Sequence, residues 1–118
     1  MTKKPEKKNF DVADETRTPS NAKIEVVKVG GKTVMKATFQ PGWKWSKDIK
    51  PIAGGDACQM HHFGYQTSGR MHVVASDGTE METGPGDVAD IPPGHDAWIV
   101  GNEPVVLIDF GDISKYAK

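Results

Sequence analysis

Cysteine is nearly missing from this 118-residue chain: Cys58 stands alone, so no internal disulfide can form, which fits a reducing compartment. Any excess of one charge is missing too. Sixteen acidic residues face fifteen basic ones, leaving no basic field to hold nucleic acid. No apolar run approaches the ~20 residues that span a bilayer, and the opening MTKKPEKKNF has no apolar core of a secretory signal. These absences predict a soluble cytoplasmic domain with no membrane or nucleic-acid partner. Helical periodicity never lasts three turns, no phosphate-cradling glycine loop precedes a helix, and no serine sits in a nucleophile elbow. The length suffices for one core and not for two.

What the chain does carry is β patterning with dense turn punctuation. Ile24–Val29 is rich in β-branched residues and ends at Gly30-Gly31, a two-residue connection suited to a hairpin. In the strand that follows, Thr33, Met35, Ala37 and Phe39 share one face. Further short strands are expected around Asp56–Gln59, His62–Thr67, Met71–Ala75, Thr79–Thr83, Val88–Ile91, Ala97–Val100 and Val105–Phe110, with Lys47–Gly55 a loop. Short strands at fairly regular spacing predict an all-β sandwich or closed barrel. Residues 1–22 read as an extended, partly flexible N-terminal arm, 23–110 as the β-barrel, and 111–118 as a tail that forms a short terminal helix. Phe10 and Val12 are the arm's apolar anchors, against the barrel or a neighbouring subunit.

Two glycine-anchored stretches concentrate the chemistry: DACQMHHFGYQTSG (56–69) and GDVADIPPGHDAWIVGN (86–102). They resemble the paired motifs of the cupin superfamily, a jelly-roll or double-stranded β-helix barrel. In the second motif Gly86, Pro92 and Gly94 match, Ala97 occupies the slot of the histidine ligand, and His95 follows the glycine directly. In the first, anchoring on Gly69 puts His62 in the glutamate slot, with Asp56 and Cys58 in the two histidine slots. PGWKWS, PIAGGDACQ, HHFGYQTSGRM and PPGHDAWIVGNEP together look like small bacterial cupins without an assigned reaction. The resemblance implies the fold and a homodimer, and it supplies no substrate.

Asp56 and Cys58, two apart on a strand, share a face, so if they point inward His62 on the returning strand lies beside them. His95 enters from the opposite strand. Cys58, His62 and His95 are therefore the candidate ligands of a divalent transition metal, zinc first, with Asp56 as a further ligand or the catalytic base. The competing reading makes Cys58 a small buried apolar residue and the histidines structural. Cys58 as a nucleophile activated by His62 or His95 is a further possibility. His95-Asp96 fits an acid–base pair, or else Asp96 caps its loop.

Trp45, Tyr65 and Trp98 are the candidate substrate-binding residues, with Trp43 of the same character. Each either lines an apolar pocket or packs core and subunit interface. Two functions follow. One is a small-molecule-binding barrel with a metal-containing pocket, a lyase or isomerase acting on a small oxygen-bearing metabolite. The other is a metal-free ligand-binding or sensing module without catalysis.

Overall fold

A computed structural model describes residues 4–111. One 3₁₀ turn, Phe10–Val12, precedes nine strands: β1 (Glu15–Arg17), β2 (Ala22–Val29), β3 (Lys32–Phe39), β4 (His62–Ser68), β5 (Arg70–Ala75), β6 (Glu80–Thr83), β7 (Val88–Ile91), β8 (His95–Val100) and β9 (Val105–Asp109). Two one-turn helices, α1 (Trp45–Asp48) and α2 (Lys50–Ala53), lie between β3 and β4. The strands form two antiparallel sheets, one ordered β1-β2-β3-β9-β4-β7 and the other β6-β5-β8. Among the described residues no helix is long and apolar enough to cross a membrane.

The β2–β3 hairpin turns at Gly30-Gly31 with Val29 opposite Lys32, as the two-residue connection predicts. Met35, Ala37 and Phe39 face inward from β3 and are buried with Ile24 and Val26 of β2. The second sheet answers with Met71 and Val73 of β5 and Ala97 and Ile99 of β8. Period-two alternation thus builds a core between two sheets.

Three local expectations change. Part of the arm is stitched into the structure, because Glu15–Arg17 pairs with β2 as an edge strand. Val12 is 79% exposed, so of the two expected anchorings it does not take the one on its own barrel. The segment read as a loop after Trp45 contains α1 and α2, and Pro51 sits in the first turn of α2, where its missing N–H costs nothing. The terminal helix expected over 111–118 falls almost wholly outside the described residues.

The long crossing from β3 to β4 is the part of the fold that builds the site. It runs along the free edge of β8, where Lys44 bridges to Trp98 and Cys58 bridges to His95. The Ile99 N–H donates to the Trp43 carbonyl at 3.1 Å. Buried Asp48 accepts from the Lys44 N–H at 3.0 Å, holding the start of α1. Trp43, Trp45, Ile49 and Cys58 are thereby carried into the core.

Candidate metal and ligand site

Cys58, His62 and His95 come together although they arrive from three places. Cys58 belongs to the crossing segment: its N–H donates to the His95 carbonyl, and its carbonyl accepts from Gly94 N–H, both at 2.7 Å. His62 opens β4 and His95 opens β8. Their donor atoms all lie within 4.8 Å of one another. The two imidazoles meet edge to face, ring centres 5.2 Å apart.

Glycines at two bends make this approach possible. Gly94 has φ +93°, a left-handed conformation that only glycine adopts without strain, and it turns the chain into His95. Gly69 has φ +76°, and a Cβ there would meet the Pro104 carbonyl oxygen at 2.5 Å, so β4 turns into β5 against bare backbone.

Hydrogen bonds behind the two histidines decide which nitrogen each presents. His62 Nδ1–H donates to Asp109 Oδ2 at 2.6 Å, leaving Nε2 toward the Cys58 Sγ, 3.6 Å away. His95 Nδ1–H donates to the Pro92 carbonyl at 2.9 Å, which leaves Nε2 as its free ring nitrogen. A carbonyl can only accept, so the proton on Nδ1 follows from the partner. Asp109 is itself fixed: its Oδ1 accepts from the backbone N–H of Phe63 at 3.2 Å and of Gly111 at 2.8 Å.

Charge follows from these contacts. Burial pushes the Cys58 thiol up, but hydrogen bonds from His62 and His95 outweigh it and bring the thiol down to about 6. Burial likewise disfavours charge on His62, yet the Asp109 and Cys58 hydrogen bonds raise it to about 9. Near neutral pH the metal-free pair is therefore a thiolate against an imidazolium, oriented by a buried carboxylate.

His62 and His95, though not Cys58, line a cavity between the sheets, measuring about 50 Å³ as the volume open to the centres of water-sized atoms. At 10–15 Å³ per water that is room for about four. Its wall is largely apolar, from Met35, Phe39, Trp43, Trp45, Met71, Ile91 and Leu107. A second polar group, Gln66 with Thr83, is closed on itself: Thr83 Oγ1 donates to Gln66 Oε1 at 2.6 Å, while Gln66 Nε2 donates to the Gly69 and Thr83 carbonyls.

The other expected site residues fall elsewhere. Asp56 is exposed and does not line the cavity. Residues around Cys58 form a single bridge rather than a strand, so the shared-face argument for Asp56 does not apply. Trp45 does line the cavity; Tyr65 and Trp98 do not. Both are corrected by strand parity. β4 turns His62, Gly64 and Gln66 inward and leaves Tyr65 44% exposed. β8 turns His95, Ala97 and Ile99 inward and puts Trp98 on the outer face, stacked on His72 at 4.8 Å with Lys44 Nζ 5.0 Å from its ring. Asp96 caps: its Oδ1 accepts from Ser46 N–H at 3.1 Å and from Ala97 N–H. His61 pairs outside the cavity with Asp90. Sequence reasoning missed Asp109, whose signal was a lone carboxylate in the apolar run VVLIDF, in step with Val105 and Leu107.

No protein-family model and no curated protein sequence matches the chain. Solved structures do match its shape. A protein of unknown function from Rhizobium leguminosarum bv. viciae 3841 aligns with TM-score 0.65 at 19% identity, covering 92% of this chain and 97% of that one. A cupin-superfamily sugar phosphate isomerase from Silicibacter pomeroyi aligns with TM-score 0.63 at 19% identity, covering 91% and 75%. KdgF from a Halomonas species aligns with TM-score 0.59 at 17% identity, covering 83% and 87%. The fold is the cupin jelly roll, as the glycine-proline skeleton of the two motifs implied.

Proposed function

We propose that the cavity is a small-molecule site built around a divalent transition metal, zinc first, held by Cys58, His62 and His95. The observation that carries this reading is the pair of Nδ1 hydrogen bonds: each Nδ1 is tied to an acceptor, so Nε2 is the nitrogen each histidine has for an ion. That is the arrangement of metal-ligating histidines, whose far nitrogen donates to a carboxylate or carbonyl. Spacing fits as well. Zinc bonds of ~2.3 Å to sulfur and ~2.0 Å to nitrogen at a tetrahedral angle require S···N of about 3.5 Å, and Cys58 Sγ to His62 Nε2 is 3.6 Å. The widest donor spacing, up to 4.8 Å, exceeds such an edge, so loading draws the set inward.

Three protein ligands would leave a fourth position for water or substrate, as in sites that act on substrate. A divalent ion there supplies Lewis acidity to an oxygen-bearing metabolite, chemistry that serves a lyase or an isomerase. In this reading Asp109 holds His62 in register, the apolar wall excludes water, and Cys58 lends a soft, already ionised ligand. Asp56, exposed outside the cavity, has no part in it. A cytoplasmic location goes with the reading, since a reducing compartment keeps Cys58 free to ligate. A homodimer does too: Phe63, Tyr65 and Val88 form an exposed apolar patch on the outer face of β4 and β7.

Metal analysis of protein purified without a nickel column tests the proposal, with His62→Ala as the comparison. One ion per chain in the parent and loss in the variant support it; no stoichiometric metal under any growth condition overturns it. The mostly apolar wall favours a second reading, a metal-free binding or sensing module. Ligand-dependent thermal shifts that survive chelation would select that one.

A further inference from the structure

Two residues of the cavity wall carry buried indole N–H groups that no described residue satisfies. Trp43 and Trp45 are each 2% exposed and line the cavity, yet neither indole Nε1–H meets a hydrogen-bond acceptor among the described residues. Leaving a buried donor unpaired costs about 1–3 kcal/mol, and two in one wall of a small cavity are a standing demand for acceptors. They come as a pair because Trp43 and Trp45 are two apart in the chain, on one side of the crossing segment beside β8.

Most side-chain acceptors around them are already engaged. Gln66 Oε1 accepts from Thr83, Asp109 accepts from His62, Phe63 and Gly111, and exposed Asp87 accepts from Gly84 N–H through Oδ2. Such a wall offers donors and has few places for a ligand's own donor. It therefore selects a group that only accepts, and an ionised carboxylate does so with two oxygens.

Size agrees, since room for about four waters suits a ligand of about four to six heavy atoms.

Resting on the small-molecule reading of this cavity, we propose that its ligand is a short-chain carboxylate whose oxygens accept from the Trp43 and Trp45 indole N–H groups. Both nitrogens are covered by their neighbours, so ligand entry turns the indoles slightly to present their hydrogens.

The probes are acetate, acetone and propan-2-ol, which match in heavy atoms and differ in charge and donors. They are titrated into full-length protein, metal-loaded and metal-stripped, while the three indole N–H resonances are followed by ¹H–¹⁵N NMR. Trp98→Phe identifies the outer-face indole. Acetate is expected to move the other two resonances downfield and leave Trp98 in place, acetone to act more weakly, and propan-2-ol least. Trp43→Phe and Trp45→Phe each remove an N–H while keeping most of the ring, and each should weaken acetate about tenfold. Wild-type indoles unmoved by acetate, or equal response to propan-2-ol, overturn the proposal even if neither variant folds. Acetate shifts in both metal states, in protein that carries no metal as purified, would uphold the indole site and remove the metal reading. Metal without acetate shifts would do the reverse.

Discussion

Asp109→Asn is the sharpest test of how the site is organised, because it alters chemistry with almost no change of shape. The wild-type carboxylate accepts from His62 Nδ1 at 2.6 Å, from Phe63 N–H at 3.2 Å and from Gly111 N–H at 2.8 Å. An amide keeps the two backbone bonds through its oxygen and turns its NH₂ toward His62. Nδ1 must then accept, which moves the imidazole proton to Nε2, the atom facing Cys58. The lone pair an ion needs is lost. Removing the group behind a metal-bound imidazole costs roughly 10–100-fold in affinity, or about 1.4–2.7 kcal/mol.

A second effect has the opposite sign. His62 is held up at about 9 in the metal-free protein, so an ion must displace its proton. At pH 7 that costs about 100-fold, two pH units at 1.36 kcal/mol each. Without the carboxylate this pKa falls and part of the cost disappears. Wild-type affinity should rise about tenfold per pH unit from about pH 6 to about 9, while the variant levels off at lower pH. At pH 9 the wild type binds 10–100-fold tighter, and toward pH 7 the gap narrows. Competition against a chromogenic chelator from pH 6.5 to 9, with circular dichroism as the check on folding, reads both effects. Equal affinities at pH 9 in a folded variant would refute the orienting role of Asp109.

In metal-free protein the thiolate absorbance of Cys58 should titrate with a midpoint near 6, and in His62→Ala it should move up, because burial raises the thiol and one of its two imidazole partners is gone; an unchanged midpoint contradicts the pairing. Gly94→Ala places a Cβ 3.3 Å from Ser76 Oγ at φ +93°, for a loss of about 1–2 kcal/mol in urea unfolding. Metal affinity should drop as well, since this turn seats His95 beside Cys58; a stable variant with full affinity contradicts the argument. Thr83→Val strips the donor from buried Gln66 Oε1 and should cost about 1–3 kcal/mol. A change within the scatter of the urea midpoint would show that Gln66 finds another partner.

The strands of this protein were legible because their signals are local. Gly30-Gly31 turns where two adjacent glycines between β-branched runs say it should, and Met35, Ala37 and Phe39 keep the predicted face. Cys58, His62 and His95 were picked out by residue type within two cupin-like stretches, although His95 lies far from the other two along the chain. Asp56 was misassigned because the residues around Cys58 are held by one bridge to His95, so alternation has no strand to run on. Tyr65 and Trp98 were misassigned because aromatic identity says nothing of parity, and a one-residue step in a strand exchanges cavity for outer surface.

Sequence alone determined the turns and the inward-facing apolar stripes, carried by residues within a few positions of one another, and the identity of three metal-capable side chains. Only the tertiary structure decided how those side chains are brought together and partnered. Asp109, 47 residues from His62, reaches it because β9 pairs with β4, and that contact sets both the tautomer and the charge of the imidazole. The indole N–H groups of Trp43 and Trp45 are buried by folding and meet no acceptor among the described residues. Hydrogen-bond partnership and desolvation depend on what folding brings near, and no local pattern of residues records either.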